Sequence, residues 1–497
     1  MGPIADEVGV EQGGVNSGDF YKIYAKSQLE LAQDSHLGVH LTKDMVISAI
    51  GQADDTVLIS NDLHSLQNLL QLSLFYCSKF NVTLCPEKTI LQAICPRKLS
   101  REVEYMKEFS PVNLNGIKLK FHNTAEHVGI IRSVSGNHPN ILQRFSSHKK
   151  AIGAVLSNGL ARHHRANPAA RLKIEQIFGT PVLLSGMGSL LLKKSELNIV
   201  NNHHFELLLS LLRLLPGTPH PVIYFLAGSL PGEALIHLRQ LSLLGMISRM
   251  PGSILHQYAT EVYTARGTAW SWFHQVRDLC LSYQLPHPLT LLTTPRSKEA
   301  FKNLVKKHVV NFWELKLRAD AEPLTSLKYF KPEYMSLLKP HPLLVTAGAH
   351  PYEVTKANVQ ALFLSGRYRT ELLSRHWSSN EQGFCLLPSC AGLCLKEDLE
   401  HILLNCGSLA PTRQRLSAFT INFSKTVPLL SSTLLQLTNP SQHLYTQFLL
   451  DCSAIPEVIS LVQDHGADVL HHLFKVSRTW CYSIHRERLR ILGRWFP

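Results

Sequence analysis

The chain has 497 residues, 45% of them hydrophobic, which is enough for a sizeable core and predicts roughly two to four subdomains. Its 50 Lys and Arg exceed its 37 Asp and Glu and give a formal charge of +13. This charge is typical either of a protein that binds a polyanion or of an ordinary basic protein. The ten cysteines, six of them scattered, exclude a disulfide scaffold and favour a reducing compartment.

Neither a secretory signal nor a membrane helix is predicted. Residues 1–14 are acidic and Gly-rich, whereas a signal peptide is basic and then apolar. The uncharged stretches 177–192 and 214–232 are the membrane candidates, but the first is short and prolines interrupt the second. We therefore expect an intracellular protein, nuclear or cytoplasmic, with no membrane partner.

In chain order, the first predicted element is a helix over residues 20–43 that ends near Gly38, because its apolar residues recur every three to four positions. Two β-branched runs, 46–50 and 56–60, flank the segment 51–55 and predict a strand, a turn and a strand. Asn61 or Asp62 is suited to cap the helix that follows. Asp54 and Asp55 therefore lie at the tip of a predicted hairpin.

Beyond residue 140 the pattern is mainly helical, with breaks rich in Pro and Gly. Leucine stripes in this part have the spacing of core-facing helix positions. The predicted helices lie near 141–163, 168–178, 189–215, 233–248, 268–283, 297–320, 353–374 and 464–492.

The adjacent carboxylates of Asp54 and Asp55 repel each other unless a cation neutralises them, and Mg²⁺ or Mn²⁺ is a suitable partner. In two-metal phosphoryl transfer such carboxylates hold the ions that activate the attacking hydroxyl and steady the leaving group. An ordinary Asp-Asp turn is the alternative interpretation.

Four segments, in this order, resemble motifs of non-LTR retrotransposon (LINE-like) reverse transcriptases. They are the Gly9-Val10-Glu11-Gln12-Gly13 loop with Ser17 and Phe20, the Ala53-Asp54-Asp55 box, the segment Cys85-Pro86-Glu87-Lys88-Thr89 and the turn His127-Val128-Gly129. The chain is thus similar to the C-terminal portion of an RNA-directed DNA polymerase. The resemblance implies an RNA template, a DNA primer or target, and deoxynucleotides as partners.

The resemblance also implies an α+β fold in five parts. A partial palm, a short antiparallel sheet with helices, would span 1–100. The palm–thumb junction and helical thumb would span 101–216, a helical connector 217–380, a zinc-knuckle-like module 381–410, and a helical region 411–497.

Residue roles follow from the same resemblance. Asp54 and Asp55 would be the catalytic carboxylates that hold Mg²⁺ or Mn²⁺. Gln12 and Gly13 would lie under the template and the incoming nucleotide, where glycine permits close approach of the backbone. Lys88 would neutralise phosphate charge near the nucleotide, or else be a solvated lysine after a turn.

The chain departs from the family pattern in two places. Gln52 stands where the family has an aromatic residue that supports the primer. The family's first metal-binding aspartate precedes the Gln-Gly loop, and only eight residues precede Gly9. We therefore expect this chain alone to be inactive without the N-terminal part of the same polyprotein. The alternatives are a non-catalytic nucleic-acid-binding remnant, or a relic without present function.

A second motif is a cluster of cysteines and one histidine. Cys385, Cys390, His401 and Cys406 have the spacing Cys-x4-Cys, ten residues, His-x4-Cys, which supplies the donor set of a tetrahedral structural Zn²⁺. Cys394 could replace Cys390, and a small apolar hairpin without metal is the alternative. The cluster resembles the Cys-Cys-His-Cys knuckle that follows the polymerase in LINE-like elements.

Basic residues are candidates for nucleic-acid contacts. Lys149, Lys150, Arg162 and Arg165 lie on predicted thumb helices and could grip a template–primer backbone; a solvated face is the alternative. Near the C-terminus, arginines alternate with aromatic residues, a mixture that suits either stacking on single strands or a packed amphipathic helix. The adjacent histidine pairs, such as His203-His204, are given no site role.

Overall fold

The computed structural model describes residues 17–52, 55–80, 82–94, 112–155, 166–265, 270–374, 382–426 and 442–493. Within these residues the protein is mainly helical and contains four two-stranded antiparallel sheets. The predicted α+β class is confirmed. The palm stays a prediction, because the strands of the described residues form four separate pairs rather than one sheet.

The predicted acidic hairpin is formed by β3 (Ala49–Gln52) and β4 (Asp55–Leu58), with Gln52 opposite Asp55 at the end of the ladder. Residues 53 and 54, at its tip, lie outside the described residues. Helix α1 (Ser17–Asp34) packs on β3, and a Cβ at Gly51 would lie 2.9 Å from the Leu29 side chain. Glycine at position 51 therefore lets the helix approach the hairpin closely.

Helix α2 (Leu63–Lys79) begins as predicted, because the Asp62 carboxylate accepts a hydrogen bond of 2.8 Å from the Ser65 N–H. Leu70 of this helix packs with Leu91, Leu114 and Leu119 in a small apolar core. The remaining strands are β1 (Val39–His40), β2 (Val46–Ile47), β5 (Asn113–Leu114), β6 (Ile117–Lys118), β7 (Thr124–His127) and β8 (Ile130–Ser133).

The other α-helices in the described parts of the chain follow in order. They are α3 (His138–Val155), α4 (Pro168–Ile174), α5 (Thr180–Leu183), α6 (Lys194–Leu212), α7 (His220–Ala227), α8 (Gly232–Ser248), α9 (Ile254–Thr264), α10 (Trp272–Ser282), α11 (Pro288–Thr293), α12 (Lys298–Ala321), α13 (Pro342–Val345), α14 (Pro351–Leu364), α15 (Glu371–Ser374), α16 (Ala410–Thr426), α17 (Gln442–Leu450), α18 (Pro456–His465) and α19 (Asp468–Ile491). No single helix among the described residues is long and apolar enough to cross a membrane. Together, α7 and α8 reach that length and composition, but they are bent by 59° at their break.

The chain divides into two compact units. The first comprises Met1–Arg144, Ser185–Glu196 and Gln240–Lys302, and it contains β1 to β8. The second comprises Phe145–Leu184, Leu197–Arg239 and Asn303–Pro497, and its described residues are mainly helical. Its core includes fully buried side chains of α7, α14 and α19. The five predicted domains are continuous segments and stay a prediction.

Two predicted helices end earlier than expected. Helix α1 ends at Asp34 because residues 39 and 40 pair with β2, and a Cβ at Gly38 would lie 2.2 Å from the Ile47 carbonyl oxygen. The predicted helix 353–374 is divided into α14 and α15, since Gly366 has a φ of +68°. A left-handed residue after the last turn ends a helix.

Gly366→Ala should destabilise the protein by about 3 kcal/mol, because alanine is strained at positive φ and its Cβ would lie 2.5 Å from the Ser326 carbonyl oxygen. Gly348→Ala is the matched control: its φ is +61°, but a Cβ there meets no described atom within 4 Å. We expect the control to lose about 1 kcal/mol. Urea unfolding measures both, and equal losses would contradict a steric role for Ser326.

Candidate metal centre

The four predicted zinc ligands come from two short segments of the second unit. Cys385 follows an antiparallel bridge between Phe384 and Lys396, and Cys390 ends a 3₁₀ turn, Pro388–Cys390. A π-helical turn, His401–Asn405, carries the histidine and leads directly to Cys406. The four side chains are 0–8% exposed. The two segments thus bring three thiols and one imidazole together in the interior of the protein.

The ligand atoms have the spacing of a tetrahedral site. The Cys406 Sγ lies 4.0 Å from the Cys385 Sγ and 3.6 Å from the Cys390 Sγ, and the Cys390 Sγ lies 3.5 Å from the His401 Nε2. A tetrahedron with Zn–S bonds of about 2.3 Å has edges of about 3.8 Å. All four atoms lie within 4.8 Å of one another, and no other such group of three or more ligands occurs in the described residues. The cluster can bind a metal ion such as zinc.

The π-helical turn explains how His401 and Cys406 reach the same point. In an α-helix, residues five positions apart point about 140° away from each other. Here the Cys406 N–H donates a hydrogen bond of 2.7 Å to the His401 carbonyl oxygen, which closes a wider turn and brings the two side chains together. The His-x4-Cys spacing is therefore matched to this turn.

Cys390, rather than Cys394, belongs to the cluster. Cys394 is exposed and has a φ of +52° in the turn that returns the chain from Cys390. Its thiol is not a member of the ligand group. The alternative that the sequence left open is thereby settled in favour of Cys390.

Electrostatics favour a cation inside the cluster. Hydrogen bonds from Cys385, His401 and Cys390 lower the pKa of Cys406 to about 4. The pKa of Cys385 is raised by its hydrogen bond to Cys406 and by burial, and burial raises that of Cys390 as well. A divalent cation at the centre of the cluster would stabilise the thiolate forms of the three cysteines.

Polar contacts hold the ligand segments in place. The Asp398 carboxylate accepts a hydrogen bond of 2.7 Å from the His401 N–H, and the Ser408 hydroxyl accepts one of 2.8 Å from the Ser389 N–H. The Arg413 guanidinium donates a 2.7 Å hydrogen bond to the Cys406 carbonyl oxygen. With a divalent ion bound by three thiolates, the positive charge of Arg413 would offset the net negative charge of the site.

Helix α19 anchors this segment to the rest of the second unit. Arg488 donates a hydrogen bond of 2.6 Å from its Nε to Glu397, four residues before His401, and both side chains are buried. Arg478 of the same helix is 1% exposed and forms a 2.9 Å ion pair with Glu353. Of the two interpretations of the C-terminal arginines, these residues support the packed amphipathic helix.

The predicted catalytic residues are described only in part. Asp55 and Gln52 are exposed at the end of the β3–β4 ladder, and Lys88 is exposed in the turn after α2. Asp54, Gln12 and Gly13 lie outside the described residues. Among the described residues, Asp55 belongs to no group of three metal-binding side chains, so the structure does not support a magnesium site there.

The predicted nucleic-acid contacts are described for two of the four residues. Lys149 and Lys150 are exposed on α3, whereas Arg162 and Arg165 lie outside the described part of the chain. Tyr368, from an Arg-rich stretch before the cysteine cluster, is buried and stacks on Phe363 with a ring separation of 3.7 Å. The tyrosine therefore belongs to the core.

Sequence reasoning missed a buried polar cluster in the second unit. The His148 Nδ1 lies 3.0 Å from the His203 Nε2, and the Glu175 Oε1 lies 3.6 Å from the His148 Nε2 and 3.8 Å from the His204 Nε2. Burial lowers the pKa of His203 to about 4. The members come from separate helical segments, and no local sequence motif indicates that they lie together.

No known protein-family model matches the chain, and no curated protein is significantly similar to it.

Proposed function

We propose that Cys385, Cys390, His401 and Cys406 bind one structural zinc ion. The observation that carries the proposal is the convergence of four buried ligand atoms within 4.8 Å, at edges that match a tetrahedral site with Zn–S bonds of about 2.3 Å. All four tetrahedral positions are taken by protein atoms, which is typical of a structural rather than a catalytic zinc. The ion would tie the 385–390 segment to the 401–406 turn.

Metal analysis of the purified chain tests this assignment. We expect one zinc per chain in the wild type and in Cys394→Ser, and no bound zinc in Cys390→Ser. Cys394 is the matched control because it is an exposed cysteine of the same loop. Loss of zinc in Cys394→Ser with retention in Cys390→Ser would show that the ligand set is wrong.

We further propose that the chain is a portion of a non-LTR retrotransposon reverse transcriptase, which works inside the cell on an RNA template and a DNA primer. Supporting this proposal are the order of the four resembling motifs, a hairpin that carries Asp55 at its end, and a Cys/His cluster beyond them. In the complete enzyme, Asp54 and Asp55 would hold Mg²⁺ or Mn²⁺ for nucleotidyl transfer. Gln12, Gly13 and Lys88 would contact the nucleotide or template.

Primer extension on an RNA template with Mg²⁺, by the complete enzyme that contains this chain, tests the polymerase proposal. The comparison uses the wild type, Asp54→Ala and Asp44→Ala, the last altering an exposed aspartate between β1 and β2. Incorporation by the wild type and Asp44→Ala, with none by Asp54→Ala, is the result that a polymerase gives. Incorporation that survives Asp54→Ala would contradict the role of this residue.

The second candidate function is nucleic-acid binding without catalysis. The observation that favours it is the exposed pair Lys149 and Lys150 on α3, in a chain with a net charge of +13. The same assay, followed with labelled RNA, distinguishes the two: binding without incorporation supports this candidate. A double charge reversal, Lys149→Glu with Lys150→Glu, should then weaken binding and reduce its salt dependence.

A further inference from the structure

Arg171 is a buried cation without an anionic partner among the described residues. It lies on α4, is 7% exposed, and its Nε and Nη2 have no hydrogen-bond partner there. Two other buried guanidinium groups of the second unit are paired, Arg478 with Glu353 and Arg488 with Glu397. An unpaired buried charge is strongly unfavourable, so Arg171 requires an explanation.

The acid best placed in sequence to pair with Arg171 is used elsewhere. Glu175 lies four residues further on, at the spacing of a helical ion pair. A π-helical turn, Glu175–Gly179, begins at this residue, and its carboxylate faces His148 and His204 and accepts a 2.7 Å hydrogen bond from the Thr180 hydroxyl. The local carboxylate is therefore not available to Arg171.

A second arginine increases the positive charge at this place. Burial and the neighbouring Arg213 charge lower the pKa of Arg171 to about 10, so the Arg171 guanidinium is charged at neutral pH. Arg213 is only partly buried.

We propose that Arg171 binds a phosphate group, with the neighbouring Arg213 adding positive charge. A guanidinium group forms paired N–H···O bonds with phosphate oxygens. The two positive charges of two guanidinium groups balance the charge of a phosphate ion better than that of a halide ion. The ligand would satisfy the unpartnered nitrogens and neutralise the buried charge. This site depends neither on the zinc ion nor on the polymerase proposal.

Thermal unfolding in sodium phosphate, compared with sodium chloride of equal ionic strength, tests the site. We expect the wild-type Tm to be about 5 °C higher in phosphate, because a ligand that binds only the folded state stabilises it. Arg171→Met should abolish the shift, and its Tm in chloride should not fall below that of the wild type, since the substitution removes an unpaired charge. Arg213→Gln, at a partly exposed position, should weaken the shift without impairing folding.

Arg488→Met is the control, because it removes a buried arginine that is already paired with Glu397. Its Tm should fall in both buffers, and the phosphate shift should remain. A wild type without a phosphate shift, or a shift that Arg171→Met retains, overturns the proposal. Replacing phosphate by a single-stranded oligonucleotide identifies the source of the bound phosphate group. Stabilisation at a much lower concentration of phosphate groups indicates a nucleic-acid backbone. Stabilisation by inorganic phosphate alone indicates a free phosphate.

Discussion

Cys406→Ala should abolish zinc binding and lower the free energy of unfolding by about 4 kcal/mol or more, the stabilisation that a ligand gives at about 1,000 times its dissociation constant. Cys406 is fully buried, contacts both other thiols, and has the lowered pKa of the cluster. Without it the remaining ligands cannot close a tetrahedral site. Urea unfolding with stoichiometric zinc measures the loss.

Cys452→Ala is the matched control for this prediction. Cys452 is also a fully buried, free cysteine, but it lies outside the ligand group. Its replacement removes only packing, so we expect retained zinc and a loss on the order of 1 kcal/mol. A chelator should destabilise the wild type and Cys452→Ala and leave Cys406→Ala unchanged. Equal losses in the two variants, or a wild type whose stability the chelator does not change, would show that the cluster is a metal-free apolar hairpin.

Loss of the metal should also weaken the packing of α19, because this helix contacts the 397–406 segment that carries two of the ligands. Glu397 pairs with Arg488, and the Trp480 indole donates a hydrogen bond of 3.4 Å to the Leu403 carbonyl oxygen within the π-helical turn. Both contacts need the 397–406 segment in place. We infer that zinc binding and the docking of α19 stabilise each other, as expected when a metal site is built on packed elements.

The parts of the fold that sequence could predict are those with local causes. The hairpin follows from β-branched runs on either side of a turn, and α2 starts at the capping residue Asp62. The Cys/His cluster could be predicted from residue type and spacing alone. The choice between Cys390 and Cys394 could not be predicted from the sequence, because it depends on a 3₁₀ turn and on the positive φ of Cys394.

Other features depend on partners that are distant in sequence. Arg488 and Lys149 are both basic residues on helices, yet Arg488 is buried with Glu397, 91 residues away, and Lys149 is exposed. Likewise, the sequence around the pair His203-His204 has no ligand pattern. His204 faces the Glu175 carboxylate, which lies at the start of a π-helical turn. Such long-range pairings decide whether a charged residue is structural or faces a ligand.

Acidification from pH 7 to pH 5 should destabilise the second unit by about 4 kcal/mol through two buried histidines, at about 2 kcal/mol each. His237 and His485 are each 6% exposed. Burial, with the charges of Lys316 and Arg488 respectively, lowers the pKa of each to about 4. Between about pH 6.5 and pH 4 the unfolded chain binds protons that the folded chain excludes. Stability therefore falls as the pH falls through this range, and urea unfolding at each pH measures it.

His237→Met isolates one of these contributions. Between pH 7 and pH 5, the free energy of unfolding of the variant should fall by about 2 kcal/mol less than that of the wild type. This difference does not depend on zinc release, because both proteins keep the same metal ligands. His64→Met, which alters an exposed histidine, should show the wild-type pH dependence. If His237→Met and His64→Met followed the same curve, the acid sensitivity would have to come from groups other than His237, with the Glu175 cluster of histidines the next to replace.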